Sequence, residues 1–224
     1  MVLSKRLQTI LELSAGYPVL ADIGTDHAHL PIMALQRGIC ESAIACDLHP
    51  GPLAIAQKNI RTAGLSGQIQ TRLGDGLVPL AAGEADCIVI AGMGGMRILD
   101  ILSKDIVKAR AAKRLILQPQ HDWARVREGL HQASFAIDAE HMLTEGNRFY
   151  LIVVAQPSAN VKVWPKKTYF TGTAVGPAQL AFLQTEKDKL DRFLRKMSAE
   201  KHTDSRDRYK QRLNWLDEAI IAIT

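Results

Sequence analysis

The stretch Leu20-Ala21-Asp22-Ile23-Gly24-Thr25-Asp26-His27-Ala28-His29-Leu30-Pro31 decides the fold. It reads as a buried strand from Pro18 to Gly24 that empties, through a polar turn, into a helix from His29 to Gly38. Pro31 is tolerated in the first turn of that helix and Gly38 closes it. In an open α/β sheet such a junction lets the backbone approach a ligand closely. A second acidic strand end follows at Ser42 to Asp47, with its aspartate 25 positions beyond Asp22. An acidic side chain about 20 residues past a glycine turn is placed to accept hydrogen bonds from ribose hydroxyls. The pair points to a cofactor that contains a nucleoside.

Outward from this core the pattern repeats. Ser4 to Ser14 has helical apolar spacing, Gly51 to Gly64 is a second helix closed by glycine, and Ile69 to Leu73 is a strand ending in Gly74-Asp75-Gly76. Asp86 to Ala91 is a nearly continuous apolar run, as expected of a central parallel strand covered on both faces. It leads into Gly92-Met93-Gly94-Gly95 and a helix from Met96 to about Val107. Arg114 to Leu117 is a further strand, ending at Gln118-Pro119-Gln120, and Trp123 to Ser134 is a helix. Phe135 to Leu143 and Phe149 to Ala155 read as two strands joined by the short link Thr144 to Arg148, a hairpin. The expected fold class is α/β: a doubly wound, Rossmann-like, mostly parallel sheet with a C-terminal antiparallel hairpin. Its strand-to-helix junctions converge on one edge.

Val161 to Pro177 changes composition and reads as a linker. Two helical segments follow. Leu180, Leu183, Lys187, Leu190, Leu194 and Met197 form one seam, and Tyr209, Leu213, Leu216, Ile220 and Ile223 the other. A short polar stretch, Ser198 to Ser205, joins them, so an antiparallel α-helical coiled-coil hairpin is expected. The expected domains are 1–160, which binds the cofactor and carries catalysis, and 161–224, a linker and basic helical hairpin. Because the tail pairs with itself, a monomer is expected.

Charge supports that division. Residues 1–160 carry 15 Lys+Arg and 15 Asp+Glu, whereas 161–224 carry 13 against 8, so the net +5 resides entirely in the tail. A neutral body with a basic appendage suggests a polyanionic partner, although a solvated lysine-rich surface gives the same count. Of 224 residues 47% are hydrophobic and 23% charged, the balance of a folded globular chain. No apolar run is long enough to span a bilayer and no signal peptide is evident, so a cytoplasmic protein without membrane contact is expected. Cys40, Cys46 and Cys87 form no CxxC pair and are expected to be buried, reduced thiols.

The turn chemistry narrows the cofactor. Dinucleotide binders use GxGxxG, yet here Thr25-Asp26-His27 follows Gly24, placing an aspartate where a pyrophosphate would sit. No GxxxxGK[ST] loop exists either. A cationic cofactor without phosphate suits this turn, and S-adenosyl-L-methionine is one: its sulfonium and amino group meet the acidic turn and its ribose meets Asp47. Asp75, beside Gly76, is placed to hydrogen-bond the adenine.

The strings Asp22-Ile-Gly-Thr-Asp-His-Ala-His-Leu-Pro31, Gly74-Asp-Gly76, Ala91-Gly-Met-Gly-Gly95, Leu117-Gln-Pro-Gln120 and Gly146-Asn-Arg-Phe-Tyr150 occur in that order. With them the chain resembles the bacterial tRNA (adenine(22)-N1)-methyltransferases, over essentially its full length. The resemblance implies a class I methyltransferase domain with a C-terminal coiled-coil domain, S-adenosylmethionine as cofactor and tRNA as substrate. It implies a cofactor site lined by Asp22, Gly24, Thr25, Asp47, Leu48, Asp75, Gly76, Ala91 and Gly92, with Arg6 on the methionine carboxylate.

Adenine N1 carries an in-plane lone pair, so its methylation needs alignment and accommodation of positive charge rather than a strong base. Asp26 and His27 are the candidate catalytic residues. Asp26 alternatively caps the helix that follows, and His27 is alternatively a hydrogen-bonded loop histidine. His27 and His29 lack a third ligand nearby, so no metal is expected. Met93 and Gly94, Gln118, and Asn147, Arg148 and Tyr150 are candidates for substrate contact. The Gly92-Met93-Gly94-Gly95 loop stands where adenine-N6 methyltransferases carry Asp/Asn-Pro-Pro-Tyr/Phe, which argues against exocyclic amine chemistry. Lys189, Arg192, Arg195 and Lys196 lead the candidate phosphate contacts, with Lys187, Lys201, Arg206, Arg208, Lys210 and Arg212 behind them. Two other readings fit the same features: a methyltransferase of small molecules or proteins, and a non-catalytic RNA-binding adaptor that keeps an old cofactor fold.

Overall fold

A computed structural model describes residues 3–197 and 203–224; residues 198–202, Lys201 among them, lie outside the described residues. The strands are β1 (Val19–Ile23), β2 (Ser42–Asp47), β3 (Ile69–Leu73), β4 (Cys87–Met93), β5 (Arg114–Pro119), β6 (Phe135–Glu145) and β7 (Arg148–Pro157). They form one sheet in the order β3-β2-β1-β4-β5-β7-β6. β1 to β5 pair in parallel, while β7 runs antiparallel to both β5 and β6. Side chains alternate between two cores, because successive strand residues face opposite sides. Ile88 and Ile90 of β4 join Ala21 and Ile23 on one face, and Cys87 and Val89 join Leu20 on the other. All four β4 residues are at most 1% exposed, which accounts for the unbroken apolar run.

The helices of the body are α1 (Lys5–Leu13), α2 (His29–Gln36), α3 (Pro50–Thr62), α4 (Gly95–Lys104), α5 (Ile106–Ala111) and α6 (Trp123–Gln132). The single helix expected after Met96 is broken at Asp105, which adopts φ −126° and ψ 46°. Its carbonyl accepts from Ala109 N–H and its carboxylate pairs with Lys108 at 3.3 Å, so Asp105 opens α5 instead of continuing α4. The β6–β7 hairpin is longer than expected and turns on Gly146 and Asn147 alone, with Glu145 opposite Arg148.

The expected linker contains α7 (Lys166–Thr171), followed by α8 (Pro177–Lys196) and α9 (Thr203–Ile223). A buried ion pair orders it. Arg127 on α6 and Glu140 on β6 lie 2.6 Å apart with side chains 1% and 0% exposed. Arg127 Nη1 donates to the Tyr169 carbonyl at 2.9 Å, and Glu140 Oε2 accepts from Thr173 N–H at 2.6 Å. The Tyr169 hydroxyl meets His131 Nδ1 at 2.8 Å. Local sequence reads as loop here because the ordering partners are remote side chains.

α8 and α9 pair antiparallel. Phe193 packs edge-on to Tyr209 with ring centroids 5.0 Å apart, and Leu183 and Leu216 are the seam residues that are fully buried. Lys187, which interrupts the apolar seam, makes an ion pair with Asp217 across it. The three cysteines are free and buried, and burial pushes the Cys46 and Cys87 thiols up to about 12. No helix among the described residues is long and apolar enough to cross a membrane.

Candidate active site

The sheet order reverses between β1 and β4, so the chain leaves these neighbours toward opposite sides and a crevice opens above their carboxyl ends. Ile23 stands level with both Cys46 of β2 and Ile90 of β4. Gly24, Asp47 and Ala91-Gly92 therefore reach one edge together, as the sequence predicts.

The β1 turn folds back on itself. Gly24 and Thr25 N–H both donate to the Cys46 carbonyl at 2.9 Å, and Ala28 N–H donates to the Thr25 carbonyl at 3.0 Å. Asp26 N–H donates to Asp47 Oδ2 at 3.2 Å, while His49 N–H donates to Asp47 Oδ1 at 2.9 Å. Four amides of the turn thus have internal acceptors. A phosphate needs such amides free, so the turn offers no cradle for a diphosphate. A carboxylate has about four lone-pair positions, and each Asp47 oxygen keeps capacity for a ribose hydroxyl.

Asp22 is buried, with Oδ2 accepting from the Thr25 hydroxyl at 2.7 Å. Burial raises its pKa from 3.8 to about 6; the Thr25 hydrogen bond opposes the shift, Asp47 adds to it and Arg6 opposes it. Such a group gains from a cation placed nearby. Gly24 has φ +75°, a left-handed conformation that glycine adopts without strain, and a Cβ there would push aside the flexible end of the Met93 side chain.

Across the crevice, Arg6 from α1 donates to Gln118 Oε1 at 2.8 Å, which also accepts from Gly92 N–H at 3.1 Å. Gln118 Nε2 donates to the Pro119 carbonyl at 3.2 Å. Gln118, a candidate for substrate contact, is 1% exposed, and its amide braces Arg6 and the β4 loop. Tyr150 lies under the Arg6 guanidinium at 5.7 Å, joining this cluster rather than the hairpin tip, where Asn147 and Arg148 are exposed. Asp75 is engaged as well: Arg97 pairs with one oxygen and Lys104 Nζ lies 3.8 Å from the other. Gly76 backs onto Ile101, and Leu48 is 48% exposed beside Asp47.

Asp26 does not cap α2. Ala28 occupies that position with φ 57°, and Asp26 itself has φ 52°, leaving its carboxylate exposed at the mouth, 3.4 Å from His27 Nε2. Two non-glycine residues at positive φ within one turn mark stored backbone strain, a common property of functional loops. His27 Nδ1 and His29 Nδ1 are buried without hydrogen-bond partners in the structure, and their rings lie 5.5 Å apart. Among the described residues no group of three metal-ligating side chains forms.

Sequence reading missed His121. Its imidazole fills the space a Cβ on Gly94 would take, at 2.7 Å, and its Nδ1 meets Asp122 Oδ2 at 2.7 Å. The available signal was the polar run Gln118-Pro-Gln-His-Asp122 leaving β5 on the ligand edge. Several tail cations already have partners. Lys189 meets Glu186 at 2.6 Å, Lys210 meets Asp207 at 3.6 Å, and Arg206 donates to the Met197 carbonyl at 2.7 Å. Arg192 Nε donates to the Asp188 carbonyl at 3.1 Å, while Arg195 and Lys196 lie exposed in the last turn of α8.

Residues 3–153 match the model of a methyltransferase domain family. The chain is 39% identical over 204 residues to the tRNA (adenine(22)-N(1))-methyltransferase of Bacillus subtilis, covering 91% of this chain and 83% of that protein. Its structure superposes on TrmK of M. capricolum in complex with S-adenosyl-homocysteine, with a TM-score of 0.88, 26% identity and full coverage of both chains. It also superposes on the B. subtilis m1A22 tRNA methyltransferase TrmK, with a TM-score of 0.82, 30% identity in that alignment and coverage of 98% and 99%. These likenesses cover nearly the whole chain, body and tail alike, and the chain belongs to the tRNA (adenine(22)-N(1))-methyltransferase family.

Proposed function

We propose that the protein transfers the methyl group of S-adenosylmethionine to N1 of adenine 22 in tRNA. The carrying observation is the β1 turn, which presents the Asp22 and Asp47 carboxylates while its own amides are internally bonded. That arrangement favours a cationic nucleoside over a diphosphate. Asp22 balances the cofactor's positive charge, Asp47 accepts from its ribose, and Arg6, held by Gln118 and Tyr150, matches its carboxylate. Gly76, Ala91 and Gly92 supply close walls, Thr25 orients Asp22, and Asp75, steadied by Arg97, sits at the adenine end.

When bound, S-adenosylmethionine supplies an electrophilic methyl group on sulfur. The adenine lone pair at N1 attacks that carbon in line, and the positive charge moves from sulfur onto the base. Asp26 at the mouth receives that charge electrostatically and His27 orients Asp26. Met93 and Gly94 line the approach of the base, which must be unpaired or drawn out of its stack, because pairing occupies N1. Residues 161–224 act as the RNA-binding unit, with Arg195 and Lys196 at its outer end and Asn147 and Arg148 on the hairpin side. The protein acts as a monomer.

Incubation with labelled S-adenosylmethionine and unmodified tRNA should give one reverse-transcription stop at position 22. Label found in protein or small molecules instead would replace this reading, and cofactor binding without any transfer would support the adaptor.

A further inference from the structure

A cleft of about 930 Å³ lies between the start of α6 and the three tail helices, outside the cofactor crevice. Its volume falls in the ~300–1,000 Å³ range that hosts small ligands. The walls carry aromatic rings in two pairs. Trp123 and Phe182 stand with centroids 4.9 Å apart, and Phe170 and Trp215 stand 6.0 Å apart. None of the four is fully buried. Five cationic residues line the cleft (Arg125, Lys166, Lys189, Arg208, Arg212) against three acidic ones (Asp122, Glu128, Glu186). Two of those acids already face His121 and Lys189.

Three of the cations have no carboxylate partner among the described residues. Arg212 lies 5.2 Å from the Phe170 ring centroid, Arg125 reaches only the Met96 sulfur at 3.9 Å, and Lys166 is exposed. Aromatic faces beside unpaired cations in a concave site suit a ligand that is at once anionic and a flat π-system. A nucleotide combines both.

The cleft begins where the active site ends. His121 and Asp122 line it, and the same His121 ring packs against Gly94 in the loop after β4. His121 thus stands between the Gly92–Gly94 loop and the cleft, so the cleft is within reach of a strand whose reacting base sits over that loop.

We propose that this cleft holds an unstacked nucleotide next to the target adenosine in the RNA chain, its base against the aromatic pairs and its phosphates against Arg125, Lys166 and Arg212. This rests on the reading of the protein as a tRNA methyltransferase. The cleft grips the chain so that the neighbouring base stays out of the stack, which distinguishes it from phosphate contacts along the outer helix surface.

The test uses the full chain and an unmodified tRNA transcript. The double variant Arg125→Ala/Lys166→Ala should bind tRNA at least tenfold more weakly. Its plot of log Kd against log salt should flatten by about 1.4, two contacts at roughly 0.7 each for single strands. S-adenosylmethionine affinity should not change. Trp215→Ala should lose about fivefold to a hundredfold in tRNA affinity, and Trp215→Phe should recover most of it. Because Trp215 also packs against Phe170, tryptophan emission gives an independent readout: tRNA should quench it in Trp164→Phe, which keeps both cleft tryptophans. A double variant that binds and methylates tRNA like the wild type, with an unaltered salt slope, overturns the cleft. Absence of tRNA binding by the wild type itself overturns the parent reading.

Discussion

Replacing Asp22 by Asn is expected to stabilise the cofactor-free protein while destroying its hold on S-adenosylmethionine. The magnitude follows from the raised pKa. Asp22 ionises near 3.8 in the unfolded chain and near 6 in the fold, because burial disfavours its charged form. A difference of about two units corresponds to roughly 3 kcal/mol at ~1.36 kcal/mol per unit. The sign is fixed by proton binding: between these two values the folded state holds more protons than the unfolded one. The contribution of Asp22 to stability is therefore greatest below pH 3.8, falls as pH rises toward 6, and is flat above it. Asn carries no charge and escapes this loss while still accepting from the Thr25 hydroxyl. Its advantage in urea unfolding should approach about 3 kcal/mol at pH 8 and shrink to about half that at pH 5. Calorimetry should find that the wild type loses cofactor affinity about tenfold per pH unit below 6, since the cofactor's cation must meet an ionised Asp22. A variant less stable than the wild type at pH 8, by a margin unchanged at pH 5, would refute the argument.

Gly24→Ala should cost about 1–2 kcal/mol for its left-handed backbone and weaken cofactor binding by straining the β1 turn, read by thermal melts with and without S-adenosylhomocysteine. Glu140→Ala leaves the Arg127 charge buried without its partner, and urea unfolding should show a loss of about 3–5 kcal/mol. Asp26→Asn should lower single-turnover methylation about tenfold to a hundredfold with unchanged cofactor affinity. That is less than the ~10²–10³ of a buried electrostatic group, because this carboxylate is two-thirds exposed. Neutralising Arg195 and Lys196 should weaken tRNA binding and reduce its salt slope, whereas Lys187→Ala should lower helix-hairpin stability and leave that slope alone.

The sheet and its ligand edge were legible because their causes are local. Apolar alternation, the unbroken β4 run and glycines at strand ends act within a few residues, and they placed β1 to β5 and the Gly24, Asp47 and Gly92 junctions almost to the residue. The acidic turn also announced the cofactor's charge, since a diphosphate cannot share its place with Asp26. The family resemblance added the identity of the transferred group and of the RNA.

Contacts between residues far apart in the chain settled the rest. Gln118 braces the β4 loop because Arg6, 112 positions earlier, comes to rest on it. Lys187 stopped being a flaw in a zipper once Asp217, 30 positions on, stood opposite it. The supposed linker acquired a helix because Arg127 and Glu140, neither in that segment, needed its backbone to satisfy a buried ion pair. Sequence alone determined the strands of the sheet, most of the helices between them and what sign of charge the ligand edge presents, since periodicity and composition express local energetics. Tertiary structure alone decided which polar groups remain free for a ligand, because a side chain's availability depends on whatever the rest of the chain has already placed against it.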